Sequence, residues 1–255
     1  MIDTHAHIYV KQFDEDRDEV VRRAQESGVE KILLPNIDVD SFQSMMDLSE
    51  KYPGYCLPMA GLHPCDVKEN YEEVLGQVEQ WLEGDQQFIG VGETGIDLYW
   101  DKTFIEEQKI AFQRHLQWGK KYNLPVVVHI RDSFDEVFEV VEKEAGEGLH
   151  GVFHCFTGTV EQAHRAIDLG FKLGLGGVLT FKKSGLDATI SQVDIEHLVI
   201  ETDSPYLSPT PYRGKRNEPS YVVKVAEKLA DVKNLSVQEV QEITTNNAKR
   251  IFNLS

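Results

Sequence analysis

The sequence predicts a (β/α)8 barrel, an α/β fold of the TIM-barrel kind. Three observations carry the prediction. Eight short β-branched or apolar runs recur along the whole chain, amphipathic stretches of helical spacing lie between them, and the chain has 255 residues. Successive runs end some 20 to 40 residues apart, which suits a βα unit of about 30 residues and parallel neighbours. Eight such units fill about 250 residues, the usual length of a closed barrel built as one unit. A single domain over residues 1–255 is therefore expected, with an open doubly wound sheet as the alternative.

Each element has its own justification. IDTHAH (2–7) opens the chain as a strand and leads to EDRDEVVRRAQESG (15–28), where Val20, Val21 and Ala24 share a helical face and Gly28 stops the helix. KILLPN (31–36) and CLPMAGLH (56–63) are the second and third strands, and FIGVGE (88–93) is the fourth. On the helix that follows, Gln108, Phe112 and Leu116 recur every four residues and are expected to pack. PVVVHI (125–130), GVFHCF (151–156), KLGLGG (172–177) and LVIETD (198–203) complete the eight. SPTPYRGKRNEPS (208–220) is the one long Pro/Gly-rich connection, and loops of that length in compact domains are usually functional or disordered. SVQEVQEITTNNAKRIF (236–252) places Ser236 and Glu239 in capping-box spacing and is expected to close the barrel as a terminal helix.

Composition excludes several classes. With 26 basic and 43 acidic residues the net charge is −17, so a broad basic footprint for nucleic acid is ruled out and only a local patch remains. No run of about 18 apolar residues is present and the opening MIDTHAHIYV is unlike a signal peptide, so a cytoplasmic protein without membrane association is expected. Cys56, Cys65 and Cys155 are odd in number and form no CxxC, which disfavours a disulfide framework and a Cys-rich zinc site. No obligate protein partner is evident.

The chemistry lies at the strand ends. His5 and His7, two apart on a strand, point to one face. The fourth strand ends in Glu93, the fifth and sixth carry His129 and His154, and the eighth ends in Asp203. Strand ends form the catalytic face of a barrel, and these six N and O donors exceed what one tetrahedral ion needs, so two metal ions are suggested. His63 also falls at a strand end. His115, His150, His164 and His197 do not and are read as structural or surface residues.

These residues resemble the TatD-type metal-dependent deoxyribonucleases of the amidohydrolase-like barrel superfamily, over nearly the entire chain. The resemblance rests on DTHAH (3–7), GLHP (61–64), GETGID (92–97), QKIAFQRHL (108–116), HIR (129–131), HCFTG (154–158), ETDSPYL (201–207) and GKRNEP (214–219). It implies a binuclear site in which His5, His7, Glu93 and Asp203 hold one divalent ion while Glu93, His129 and His154 hold the other, with Glu93 as the bridge. Related barrels often bridge with a carbamylated lysine, and the fourth strand here offers no lysine. The one departure is Ile96, where the family usually has leucine. Glu201 is implied as an outer residue that orients a ligand.

Roles follow from the chemistry. Asp203 is expected as ligand and general base, with Glu93 the other catalytic carboxylate. His63 and Arg131 are expected to position a phosphate, and Arg213, Lys215 and Arg216 to form the local basic patch. Tyr99, Trp100, Phe104, Tyr206 and Tyr212 follow two of the catalytic strands and offer faces for base stacking or rim packing. Magnesium is the ion expected for activity, with zinc, manganese or cobalt as alternatives. The resemblance implies DNA as the substrate, so the expected function is divalent-metal-dependent hydrolysis of its phosphodiesters, and a closed-ended barrel pocket suits a 3′-5′ exonuclease preferring single-stranded ends. The alternatives are hydrolysis of an amide, lactone or ester, and a non-catalytic metal-loaded module that binds nucleic acid.

Overall fold

The computed structural model describes residues 1–255. Eight parallel strands appear where the eight runs lie. They are β1 (Ile2–Asp3), β2 (Lys31–Pro35), β3 (Cys56–Met59), β4 (Val91–Asp97), β5 (Val126–Arg131), β6 (Gly151–Phe153), β7 (Phe171–Leu175) and β8 (Leu198–Ile200). The intervening helices are α1 (Arg17–Glu26), α2 (Val39–Lys51), α3 (Tyr71–Glu83), α4 (Ile105–Tyr122), α5 (Phe134–Glu144), α6 (Val160–Asp168) and α7 (Leu186–Ile190), followed by α8 (Val222–Lys233) and α9 (Val237–Ile251). Val20, Val21 and Ala24 are the buried face of α1, and Gly28 turns the chain out of it at φ 81°. Ser236 and Glu239 form the capping box of α9.

The ladders run β1-β2-β3 and β4-β5-β6-β7-β8. Two seams join them into a ring. Between β3 and β4, Ile89 N–H donates to Pro58 O at 3.0 Å and Gly92 N–H to Ala60 O at 2.8 Å. Between β8 and β1, Thr4 N–H donates to Ile200 O at 3.2 Å, Asp203 N–H to His5 O at 2.9 Å and His7 N–H to Ser204 O at 2.7 Å. Asp3 reinforces this second seam, its carboxylate accepting Thr202 N–H at 2.9 Å and the Thr202 hydroxyl at 2.6 Å.

The main core lies between the strands and the surrounding helices. A smaller cluster contains Ile2, Leu33, Met59, Val127, Val152 and Val199 together with Ala248 and Phe252, so α9 closes the end from which the strands start. Alternation then carries each inner face upward: Val127 shares its face with His129, Val152 with His154, and Val199 with Glu201 and Asp203. An apolar floor therefore supports a polar layer.

Strand limits differ from expectation at the functional end. β1 stops at Asp3, because His5 N–H turns toward the Asp3 carboxylate at 3.3 Å, and His5 and His7 lie on an extension joined to the 203–204 segment. β4 runs past Glu93 to Asp97, pairing Thr94–Asp97 with Val128–Arg131 after a register shift. Glu93 is thus inside a strand and Asp97 ends it.

Candidate metal and active site

The six expected ligands converge at the open end of the barrel. His5, His7 and Glu93 form one cluster of possible ligand atoms, His5, His154 and Asp203 a second, and His63, Glu93 and His129 a third. His5 Nε2 lies 3.1 Å from His7 Nε2 and 3.0 Å from Glu93 Oε2. Asp203 Oδ1 stands 3.9 Å from His5 Nε2 and 3.7 Å from His7 Nε2. The other carboxylate oxygen, Glu93 Oε1, faces His129 Nδ1 at 2.8 Å, His154 Nε2 at 3.3 Å and His63 Nε2 at 3.5 Å. A divalent ion with ligands about 2.1 Å away sets neighbouring donor atoms about 3.0–3.4 Å apart, so His5, His7 and Glu93 Oε2 stand at ligand spacing, as do His154 and Glu93 Oε1, and Asp203 Oδ1 lies wider.

Three of the four imidazoles expected as ligands have one nitrogen engaged away from the centre. Tyr9 donates its hydroxyl to Pro35 O at 2.5 Å and so accepts from His7 Nδ1 at 3.0 Å, leaving His7 Nε2 as a lone pair. His154 Nδ1 donates to Glu201 at 2.9 Å, and His129 Nε2 donates to Asp97 Oδ2 at 3.0 Å. Such outer carboxylates fix the tautomer of a ligating histidine and raise its basicity. His63 is the reverse: its Nδ1 accepts Cys65 N–H at 3.1 Å, so a neutral ring carries its proton on Nε2, toward the site. That hydrogen faces Glu93 Oε1 at 3.5 Å. His5 Nδ1 is buried without a partner.

The electrostatics call for positive charge. Burial, and then the neighbouring His154, pulls His5 down to about 3, and burial brings His154 to about 3 as well, so both rings are neutral. Burial alone would raise Glu93, but His5, His63, His154 and the His129 hydrogen bond outweigh it and hold the carboxylate well below its usual range. Burial also lowers His129, yet hydrogen bonds to Asp97 and Glu93 bring it up to about 9, a proton held between two carboxylates. Asp203 is pushed well above the usual range by burial and by Glu93 and Glu201. A cation among these groups would reverse that shift.

Glu201 fits because residue 174 is glycine. A Cβ at position 174 would run into the Glu201 carboxylate. That carboxylate accepts Cys155 N–H at 2.6 Å as well as His154, and burial raises it to about 7.

Around this centre is a cavity of about 830 Å³, lined by five carboxylates and only two basic side chains, Lys68 and Arg131. Arg131 does not pair with a carboxylate. Its guanidinium lies 4.0 Å from the Tyr99 ring centre and 5.2 Å from that of Trp100. Trp100, Phe104 and Tyr206 also line the cavity, whereas Tyr212 stacks on Tyr221 at 4.0 Å outside it.

The long loop does not bring its basic residues to the cavity. Arg216 pairs with Asp16 at 2.7 Å and covers Phe13, and Arg213 lies on the ring of Phe181. Lys215 also stands outside the lining. The loop is folded back by Asn217, whose amide donates to Thr202 O at 2.8 Å and Tyr206 O at 2.6 Å.

A family model described as TatD related DNase matches residues 2–253. The chain belongs to this family. It is 37% identical over 256 residues, the whole of both chains, to an uncharacterized metal-dependent hydrolase of Bacillus subtilis, YabD. It is 30% identical over 261 residues, again the whole of both, to a protein of Pectobacterium parmentieri named 3′-5′ ssDNA/RNA exonuclease TatD. Among solved structures, YjjV of Escherichia coli, a TatD homologue, is 30% identical with a TM-score of 0.94, covering 100% of this chain and 98% of that one. This TatD-family chain is a metal-dependent hydrolase.

Two residues that touch this site are not among the sequence expectations for it. Asp97 was hidden by ending the fourth strand at Glu93, although residues 93, 95 and 97 alternate onto one face. Gln108, read as packing, is buried but also accepts Asp97 N–H at 2.9 Å. Of the four histidines set aside, His115 is a buried clamp: its Nε2 accepts Leu62 N–H at 3.0 Å and its Nδ1 donates to Ala111 O at 2.7 Å.

Proposed function

We propose that this chain hydrolyses phosphodiester bonds at the 3′ end of single-stranded DNA, with two divalent cations as cofactors and magnesium the working ion. The observation that carries the reading is Glu93, whose two oxygens face two separate donor sets: His5, His7 and Asp203 on one side, His129 and His154 on the other. One ion needs no such division. The name of the Pectobacterium relative supports the choice of substrate and polarity, and the three free cysteines suit a reducing cytoplasm.

Held by His5, His7, Glu93 and Asp203 and by Glu93, His129 and His154, the ions would supply Lewis acidity that activates water and offsets charge on the phosphoryl oxygens. The residues of the chain do the rest. Asp203 presents Oδ1 to the first donor set, leaving Oδ2 to take the proton of the attacking water. His63 donates its Nε2 hydrogen to a phosphoryl oxygen. Arg131, free of carboxylate partners, grips the substrate phosphate with its planar donors. Trp100, Phe104 and Tyr206 offer faces to the terminal base.

The test uses metal-stripped protein, 3′-labelled and 5′-labelled single-stranded oligonucleotides, and magnesium, manganese or zinc added singly, beside the Asp203→Asn variant. Metal-dependent shortening from the 3′ end, lost in the variant while its circular dichroism is unchanged, is the expected result. Wild-type rates in Asp203→Asn would remove that residue from the mechanism. No cleavage with any ion, together with turnover of a generic ester or amide, would replace the substrate class.

A further inference from the structure

Asp97 connects the metal centre to the wall of the cavity. It is almost fully buried, at 1% exposure. Its Oδ1 accepts the N–H groups of Tyr99 at 2.9 Å and Trp100 at 3.1 Å, and its Oδ2 accepts His129 Nε2 at 3.0 Å. Its own N–H is held by Gln108 from α4. His129 then turns Nδ1 toward Glu93 Oε1 at 2.8 Å.

We infer that Asp97 is a positioning residue that selects the tautomer of His129, keeping the proton on Nε2 so that Nδ1 is free to bind the cation shared with Glu93 Oε1. The inference rests on the proposed reading of His129 as a ligand. The same carboxylate holds the backbone turn that sets Tyr99 and Trp100 against Arg131, so one side chain orders both the ligand and the support of the phosphate-gripping cation.

Asparagine at 97 separates these two duties. The two backbone N–H groups at Oδ1 fix which way the new amide points, because turning it over would set its NH2 against two donors. The NH2 must therefore face His129 Nε2, which can then only accept. The imidazole proton moves to Nδ1 and opposes ligation there. An aspartate-to-asparagine change beside a histidine acts this way in serine proteases, where geometry survives and the wrong tautomer abolishes function. Alanine at 97 does the opposite: it releases the turn but imposes no tautomer.

The experiment is Mn2+ binding by equilibrium dialysis to wild type, Asp97→Asn and Asp97→Ala, with thermal unfolding of the metal-stripped proteins. Wild type is expected to bind two ions. In Asp97→Asn one ion should weaken about 10- to 100-fold, the usual effect of losing such an outer partner, while the other ion and the unfolding temperature stay near wild type. Asp97→Ala should unfold at lower temperature yet bind its second ion more tightly than Asp97→Asn. If Asp97→Asn binds two ions as wild type does, or if alanine is the worse variant for metal, Asp97 serves only the turn and the inference is overturned. Should Asp97→Ala not fold, wild type against Asp97→Asn decides. Fewer than two ions in wild type would instead overturn the two-ion reading on which the inference stands.

Discussion

Which nitrogen of an imidazole is already engaged determines what the ring can do next. His7 and His154 each give a proton to an outer oxygen and direct a lone pair inward, and His129, which also donates outward to Asp97, would do the same once a cation replaced the proton it shares with Glu93. His63 accepts a backbone N–H and directs a proton inward. The four rings look alike in sequence, and their partners separate ligand from donor. His63→Ala should therefore keep its full complement of metal but lose about 100-fold in kcat/KM, the cost of removing one donor to a developing charge. Metal content by elemental analysis alongside steady-state kinetics checks this. A fall in bound metal matching the fall in rate would make His63 a ligand.

At the scale of elements, closure of the ring depends on β1 and β8, short strands of two and three residues. So few ladder bonds leave the seam to side chains, and Asp3 supplies them to Thr202 N, the Thr202 hydroxyl and His5 N. Burial raises the Asp3 carboxyl to about 7. Removing its oxygens leaves buried donors without an acceptor, at about 1–3 kcal/mol for such a loss. Asp3→Ala should lower unfolding stability in urea by about that amount, and Asp3→Asn, which keeps one acceptor, by less. Equal midpoints for wild type and Asp3→Ala would show that the ladder alone holds the seam. β4 teaches the complementary point: its extension to Asp97 depends on pairing with β5, and no local signal distinguishes a strand that ends at Glu93 from one that continues.

Across the whole molecule, a charge of −17 coexists with a cavity rich in carboxylates. On the proposed reading this charge opposes a long polyanion and favours a substrate that enters by its end, toward Arg131. No helix is long and apolar enough to cross a membrane. Global stability carries a pH signature from His115, which burial lowers from 6.5 to about 4. The unfolded chain takes up a proton at this residue below about 6.5 and the folded chain only below about 4, so stability falls with pH through that window and then levels. Asp3 and Glu201, raised to about 7, act with the opposite sign. A difference between two curves isolates His115. Wild type minus His115→Gln, followed by urea unfolding from pH 7 to pH 4, should lose on the order of 3 kcal/mol of the wild-type advantage. A constant difference would mean that His115 titrates alike in both states.

The fold was legible in the sequence because a βα repeat writes its hydrophobic periodicity locally, strand by strand, and the eight runs and the α9 capping box needed no knowledge of their neighbours. The six converging donors were legible for a related reason: alternation along β5, β6 and β8 places a polar residue directly above an apolar one on the inner face. Asp97 and Gln108 were not, since their roles arise between strands and a helix far apart in the chain. The basic loop misled for the same reason. Arg216 looks like a free cation until Asp16, 200 positions away, is set beside it. Local pattern decides which face a residue occupies; which partner meets it there depends on how the ring closes, and hydrogen-bond partners in turn assign each proton.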